Sequence, residues 1–288
     1  MRLLAAFGFV WLFTSCGVAQ DRRTAGRATE QTLPPFDAGA FNRSLPIDNA
    51  WMPLQPGTRF VYEGTTIEDD GTAVPHRIVM HVTDLTKVIS GIRTTVTWDL
   101  DYSDGELVEA ELAFFAQDTS GTVWRMGEYP EEYEEGKFVA APAWIHGFED
   151  ARAGIMMPAR PQPGTPSYAQ GWGPKVGWTD RGQVDQVGQR TCVPLACYED
   201  VVVIAETSES EPDAQQLKYY ARGVGNVRVG WRGAGEKTKE TLALVRVDRL
   251  DAGALAAVRA KALELERSAY QRSKAVYAPT PPAQRLSQ

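Results

Sequence analysis

The three histidines are the first side chains to consider for chemistry, because imidazole titrates near neutral pH and binds metal ions. His76 and His81 lie five residues apart in a run typical of a β-strand, so they should point to opposite faces and not share one metal ion. His146 lies alone in a long irregular segment. The chain also lacks the nucleophile-elbow, zinc-helix, phosphate-loop and dinucleotide motifs of common enzymes. The sequence therefore predicts no metal site, no cofactor and no catalytic residue.

Glutamates crowd the stretch from Glu128 to Glu135. Several carboxylates together could bind Ca²⁺, which prefers oxygen ligands. The stretch lacks the Asp, Asn and Gly spacing of a calcium-binding loop. We therefore expect a solvated acidic loop here.

A ligand site is predicted in the segment from about Glu131 to Gly164, which is rich in proline and glycine. Long segments of this kind often cover binding sites. This one carries large apolar side chains that water would disfavour, and the flexible thioether of methionine suits a variable apolar ligand. The predicted ligand-binding residues are Trp124, Trp144, Ile145, His146, Met156 and Met157. The alternative is that these side chains only fill the core.

A second hypothesis places a hydrolase or metal-dependent site under the 130–165 loop, with His146 and a nearby Glu or Asp as its reactive groups. A polar cleft with convergent ionisable groups beside His146 would favour such an enzyme. A cavity lined by Trp, Tyr and Met would favour a binding protein without catalysis.

Residues 1–16 are typical of a bacterial export signal. Arg2 is followed by an apolar run from Leu3 to Phe13, which is too short to span a bilayer as a helix. The run ends in LFTSCG (12–17), which resembles a lipobox, although Phe13 stands where leucine is usual. We therefore expect lipidation at Cys16 and an exported protein anchored to a membrane of the cell envelope. Cleavage after Ala19 is the alternative and would release a soluble periplasmic or secreted protein.

The other two cysteines, Cys192 and Cys197, form an even pair in an oxidising compartment. Their spacing has no further Cys or His nearby, so a zinc site would lack ligands. A disulfide that closes a hairpin is the stronger interpretation.

Net charge argues against one class of partner. The chain carries a formal charge of −7 and no basic run. A surface of that sign repels phosphate backbones, so nucleic acid is not an expected partner.

The hydrophobic pattern predicts a mainly β protein: a curved antiparallel sheet, or a partly open barrel or sandwich, with one C-terminal α-helix. Its central hairpin spans Leu107 to Tyr129, with a turn at residues 117–121. Asp251 is the predicted N-cap of the helix. The predicted units are a signal peptide (1–16), a flexible tether (17–45), an antiparallel β domain (46–250), the helix (251–275) and a disordered tail (276–288).

Several motifs occur in a recognisable order between Trp51 and Val247. They are WMPLQPGT (51–58), VYEG (61–64), FAQDTSGTVW (115–124), GEY (127–129), AGIMMPA (153–159) and KYYARGVGNV (218–227). This order resembles a family of uncharacterised bacterial secreted or lipoprotein-like β-rich proteins and covers about two-thirds of the chain. The resemblance implies a β-rich envelope or secreted domain. It implies no activity, so no catalytic residue is transferred. The Cys192/Cys197 pair and the C-terminal helix depart from the pattern.

Together these observations predict a non-enzymatic lipoprotein of the bacterial cell envelope. Its expected partners are the membrane, reached through the lipid anchor, and either an apolar or amphipathic small molecule or another envelope protein.

Overall fold

The computed structural model describes residues 33–42, 46–68, 70–209, 211–236 and 239–286. The predicted signal peptide and Cys16 lie outside these ranges. The strands are β1 (Thr58–Ile67), β2 (Ala73–Ile89), β3 (Ile92–Ser103), β4 (Glu106–Gln117), β5 (Val123–Glu134), β6 (Lys137–Ala140), β7 (Trp144–Ile145), β8 (Arg152–Met157), β9 (Tyr168–Ala169), β10 (Gly171–Trp172), β11 (Arg181–Cys192), β12 (Cys197–Ser208), β13 (Glu211–Ala221), β14 (Gly225–Arg232), β15 (Thr241–Arg249) and β16 (Gln284–Arg285). The helices are α1 (Ala252–Arg272) and α2 (Lys274–Tyr277).

All of these strands belong to one antiparallel sheet, which confirms the predicted fold class. Its strand order is β10-β8-β5-β4-β3-β2-β1-β15-β14-β13-β12-β11-β9, with β6 and β7 paired to β5 and β16 paired to β2. Across the described residues the sheet does not close into a barrel. Its two end strands, β9 and β10, are nevertheless separated in sequence by Gln170 alone.

Short hairpins set the register of the central strands. Ser90 and Gly91 both have positive φ (48° and 82°), as do Asp104 and Gly105 (50° and 82°). Two consecutive residues of this conformation form the tight turn whose twist matches that of paired strands. The Asp-Gly turn and the central hairpin of β4 and β5 lie where the sequence predicts them.

The sheet curls so that strands distant in its order face one another. Phe60 on β1, Phe115 on β4 and Ile204 on β12 share one buried core. We call the face that carries this core the inner face. The segment before β1 closes one end of it, with Ile47 and Trp51 packed into the same core.

The opposite face of β2–β5 is covered by α1, and we call it the helix face. Asp251 caps the helix as predicted, since its side chain accepts a hydrogen bond from Ala254 N at 2.8 Å. Ala262, Leu265 and Ala269 of α1 pack against the sheet in a second buried core.

The tail after α1 is ordered and not disordered, so that prediction is wrong for residues 276–286. Tyr277 is fully buried in the core of the helix face. Beyond it, β16 pairs with Leu85 and Thr86 of β2. The prolines of this segment end the helix but do not prevent packing, because the buried tyrosine anchors the chain beside them.

Part of the predicted tether also packs on the sheet. The Phe36 ring lies 5.4 Å from that of Trp124, and Thr119 N donates to Ala40 O at 2.8 Å. Residues 33–42 are therefore part of the folded body.

The predicted loop at 130–165 contains three short strands and the end of β5. β6, β7 and β8 all lie within it and pair with β5. The acidic stretch is a solvated turn only at Glu134 and Glu135, since Glu128, Glu131 and Glu132 are buried on β5. The reason is position: β5 is interior to the sheet and packed on both faces.

The predicted disulfide is confirmed. Cys192 and Cys197 are directly paired across β11 and β12, with Cα atoms 4.0 Å apart and the two sulfur atoms bonded. The bridge closes the hairpin at its tip, where the alternative of a metal site would have needed further ligands.

Candidate functional site

Charged residues line one end of the inner face because of a two-residue alternation in neighbouring strands. Asp99 is paired with Glu111, and Asp101 is paired with Glu109, across β3 and β4. Directly paired residues of an antiparallel sheet share a face, as do residues two apart on one strand. These carboxylates therefore lie on the same face as Phe115, which is the inner face.

Other strands add charged residues to this end of the inner face. Each of these charged residues either contacts another of them or shifts its pKa through its charge. We call the set the inner acidic cluster: eight carboxyl residues (Asp99, Asp101, Glu109, Glu111, Glu128, Asp180, Glu206 and Glu240) and three basic residues (His76, Arg125 and Lys218).

Arg125 is the central cation of the cluster. Its guanidinium donates to Glu111, lies 2.5 Å from Glu128 Oε2, and stacks 4.8 Å from the centre of the Trp178 ring. A guanidinium is planar and weakly hydrated, so it suits a site between carboxylates and an aromatic ring.

Lys218 and Gln170 link the cluster to the far half of the sheet. Lys218 Nζ lies 2.7 Å from Glu206 Oε2, and Gln170 Nε2 donates to Glu206 Oε1 at 2.7 Å. Gln170 is the single residue between β9 and β10, so the two ends of the sheet meet beside this carboxylate.

His76 is held between two carboxylates. Its Nε2 lies 2.6 Å from Asp101 Oδ1 and its Nδ1 lies 2.9 Å from Glu240 Oε1. Although burial works against the charged ring, the hydrogen bonds to Asp101 and Glu240 raise the pKa of His76 to about 10. The side chain is therefore an imidazolium at neutral pH and neutralises part of the cluster.

Several carboxyls of the cluster hold protons at unusually high pH. Burial, with the nearby charges of Glu111 and Asp180, raises the pKa of Glu128 to about 8 despite Arg125. Burial and the charge of Glu206 raise the pKa of Asp180 to about 7. Burial and neighbouring carboxylates also raise the pKa of Glu109. Burial is the largest cause of all three pKa shifts, because it disfavours the charged form of a carboxyl group.

Several buried polar atoms in this region have no hydrogen-bond partner among the described residues. They include the carboxyl oxygens Asp99 Oδ1 and Glu109 Oε2, the hydroxyl of Tyr168, and the donors Trp178 Nε1 and Arg125 Nε. Such groups are rare in folded proteins because each loses its hydrogen bonds to water without replacement. Their concentration in one place makes the inner acidic cluster the candidate site.

Aromatic rings form one wall of the cluster, and glycines make room for them. Tyr168 lies across Gly182, where an added Cβ would meet the ring at 2.8 Å. Trp144 and Trp178 lie 5.9 Å apart, and an added Cβ at Gly171 would meet the Trp144 ring at 2.5 Å.

The structure does not bring the six predicted site residues together. Trp144 lies on the inner face beside Glu128, because the two residues are directly paired across β5 and β7. Trp124 and Ile145 are buried in the core of the helix face. Met156 and Met157 are buried in the inner core instead.

His146 is held by contacts within the protein and lies outside the inner acidic cluster. Its Nδ1 accepts a hydrogen bond from Ala153 N at 3.1 Å, and the Phe36 ring lies 4.4 Å from the imidazole. Burial and the charge of Arg152 lower the pKa of His146, so the ring is neutral. No group of three or more metal-ligating side chains suitable for a metal ion occurs in the described ranges.

Sequence reasoning missed the inner acidic cluster. The available signal was the pair of alternating carboxylates, DLD (99–101) and EAE (109–111), inside runs that were assigned to strands. On a two-faced strand such residues are usually solvent-exposed, and only the curl of the sheet shows that they point inward.

Comparison with known proteins finds solved structures of low similarity. No protein-family model matches the chain, and no curated protein sequence matches it. A crystal structure of an inferred exported protein with a YmcC-like fold from Bacteroides fragilis is similar, with 13% identity and a TM-score of 0.42 over 69% of this chain and 98% of that one. An inferred lipoprotein from Parabacteroides distasonis has 11% identity and a TM-score of 0.37 over 69% and 99%. Both scores are too low to support an argument about function.

None of the helices in the described part of the chain is both long enough and apolar enough to cross a bilayer.

Proposed function

We propose that this chain is an exported, lipid-anchored protein of the bacterial cell envelope that binds a small polar molecule in the inner acidic cluster. The export and anchoring half of the proposal is supported by the sequence of residues 1–17. The binding half is supported by one observation: buried polar atoms without partners are concentrated on the inner face. A bound molecule would supply the missing hydrogen bonds.

A polar ligand fits the geometry better than the apolar ligand suggested by the sequence. Trp124 and the two methionines of the predicted site are divided between two packed cores, whereas Trp144 lies beside Glu128. The predicted apolar site stays a prediction.

Anchoring is tested at the N-terminus of the mature protein. We expect mass spectrometry to find Cys16 as the first residue, carrying acyl chains, because the apolar run ends in Thr-Ser-Cys. More than one chain is needed for stable anchoring, since a single chain binds membranes only marginally. Cys16→Ser should release the protein from the membrane fraction. An unmodified start at Gln20 would contradict the proposal.

Binding is tested on protein isolated from its own cell envelope without denaturation. We expect native mass spectrometry to show a mass excess that disappears on unfolding. Glu109→Gln should reduce this excess, because it changes an unpartnered carboxyl without changing side-chain volume. Glu199→Gln is the matched control, since Glu199 is an exposed glutamate paired with Arg190.

The binding proposal fails if the native protein carries no excess mass, or if both variants retain it equally. A folded Glu109→Gln protein is required for that comparison. Near-ultraviolet circular dichroism, which reports the packing of the aromatic wall, checks independently that the Glu109→Gln protein is folded.

A further inference from the structure

We infer that the molecule bound in the inner acidic cluster is a small organic cation, whose ammonium or guanidinium group donates to the carboxyl oxygens of the inner face. This inference rests on the proposed function and adds the chemical class of the ligand. It follows from the charge of the cluster, from the type of atom left unpartnered, and from how the protein holds its own cations there.

Charge is the first argument. The cluster brings eight carboxyl groups together with only three basic side chains, all of them at least partly buried. Like charges in a poorly solvated place repel strongly, and the folded protein relieves this by keeping some of the carboxyls protonated. A bound cation relieves the same repulsion directly, whereas an anion would increase it.

The unpartnered atoms are the second argument. Two of the unpartnered atoms, Asp99 Oδ1 and Glu109 Oε2, are carboxyl oxygens. Burial and neighbouring carboxylates raise the pKa of both groups, and a bound cation would favour their ionised form, which needs hydrogen-bond donors. An ammonium offers three donors and a guanidinium five, and neither brings an acceptor that would itself need a partner. Hydrogen bonds between ionised groups are also about twice as strong as neutral ones.

Tyr168 points to the same site independently of the carboxylates. It is only 9% exposed, and its hydroxyl has no partner in the described part of the chain. Tyr168 pairs with Gly182, and Gly182 pairs with Glu206, so the three residues share the inner face. Burial and the charge of Glu206 raise the pKa of Tyr168, so the hydroxyl stays neutral and can accept from a cation.

The protein's own cations show which chemistry this environment accepts. Arg125 lies between two carboxylates and the face of Trp178, and Lys218 lies against Glu206. Tyr168 and Trp144 extend the aromatic wall beside them. Carboxylates combined with aromatic faces are the usual surroundings of a bound organic cation.

Isothermal titration calorimetry with putrescine tests the inference, and 1,4-butanediol is the matched neutral probe because hydroxyls replace its two amines. We expect putrescine to bind and butanediol not to bind. Glu109→Gln and Glu128→Gln should each weaken putrescine binding roughly 10- to 100-fold, as expected for loss of a charge-assisted hydrogen bond. Glu199→Gln should leave it unchanged, and agmatine should bind in competition with putrescine.

The contrary outcomes separate the two proposals. If butanediol or glucose binds and Glu109→Gln abolishes that binding, the site stands and the cationic class is wrong. If calcium chloride binds and excludes putrescine, the ligand is a metal ion and the inference is again wrong. If no probe binds while the native protein still carries a mass excess, only the inference fails. If neither is seen, both fail.

Discussion

Replacing Glu266 by alanine should destabilise the protein by about 3–5 kcal/mol, the range observed when one partner of a buried ion pair is removed. Lys87 is 1% exposed and Glu266 is 4% exposed, and Lys87 Nζ lies 2.9 Å from Glu266 Oε1. Without Glu266 the buried ammonium would be left without its counter-charge beneath α1. Burial already lowers the pKa of Lys87 even with this partner present.

Glu266 also holds the C-terminal segment in place. It accepts a hydrogen bond from Ala283 N at 2.9 Å, while Lys87 Nζ donates to Pro281 O at 2.8 Å. The Lys87 ammonium further lies 4.2 Å from the centre of the Tyr277 ring. Loss of Glu266 should therefore release residues 279–286 together with the helix contact.

Urea denaturation at neutral pH measures the effect. Glu264→Ala is the matched control, because Glu264 lies on the same helix and pairs with Lys261 in solvent, so its midpoint should not move. The double variant Lys87→Met/Glu266→Leu should recover much of the lost stability, since apolar residues often replace a buried pair without loss. Equal effects of Glu266→Ala and Glu264→Ala would show that the buried pair is unimportant.

The ligand-free protein should lose about 5 kcal/mol of stability as the pH rises from about 6.5 to 8.5. Glu128 titrates near 8 in the folded protein and near 4.5 when unfolded. Between those values the folded state binds more protons, so stability falls as the pH rises through this interval. Asp180, which titrates near 7 in place of 3.8, acts in the same direction.

His76 adds to this loss. Its folded pKa of about 10 is above the ordinary value of 6.5, so its contribution is complete below pH 6.5 and is lost as the pH rises towards 10. The lowered pKa values of His81 and His146 act with opposite sign, but only below about 6.5. The chosen interval therefore lies above the titration of these two histidines.

The free energy of unfolding, measured in urea at several pH values, tests this prediction. Glu128→Gln should flatten the profile by up to about 1.4 kcal/mol per pH unit and raise stability at pH 8.5, since it removes one titrating group. Glu199→Gln, in an exposed pair, should leave the slope as it is. A stability that is flat or rising across the interval would contradict the assigned proton binding.

Much of the fold follows from local sequence. The Asp104-Gly105 turn, the Asp251 cap and the Cys192–Cys197 hairpin all depend on residues within a few positions of one another. Turn geometry, capping and a short disulfide loop require no knowledge of the remaining chain. The alternation of strands and the single C-terminal helix could therefore be predicted correctly.

Burial could not be predicted where it depends on what covers a segment. Proline and glycine suggested exposure for residues 131–164 and for the tail, yet β8 joins the sheet and Tyr277 is fully buried. Amino-acid composition indicates which local conformation a segment favours, whereas its burial depends on the surface that packs against it.

The candidate site required the tertiary structure altogether. Glu109 on β4 and Glu206 on β12 are nearly one hundred residues apart, and either could have been a solvated residue of an amphipathic strand. The sequence by itself determined that these strands alternate polar and apolar side chains. The curl of the sheet decided that the polar end of one face is enclosed, and enclosure is what leaves its carboxyl oxygens without partners.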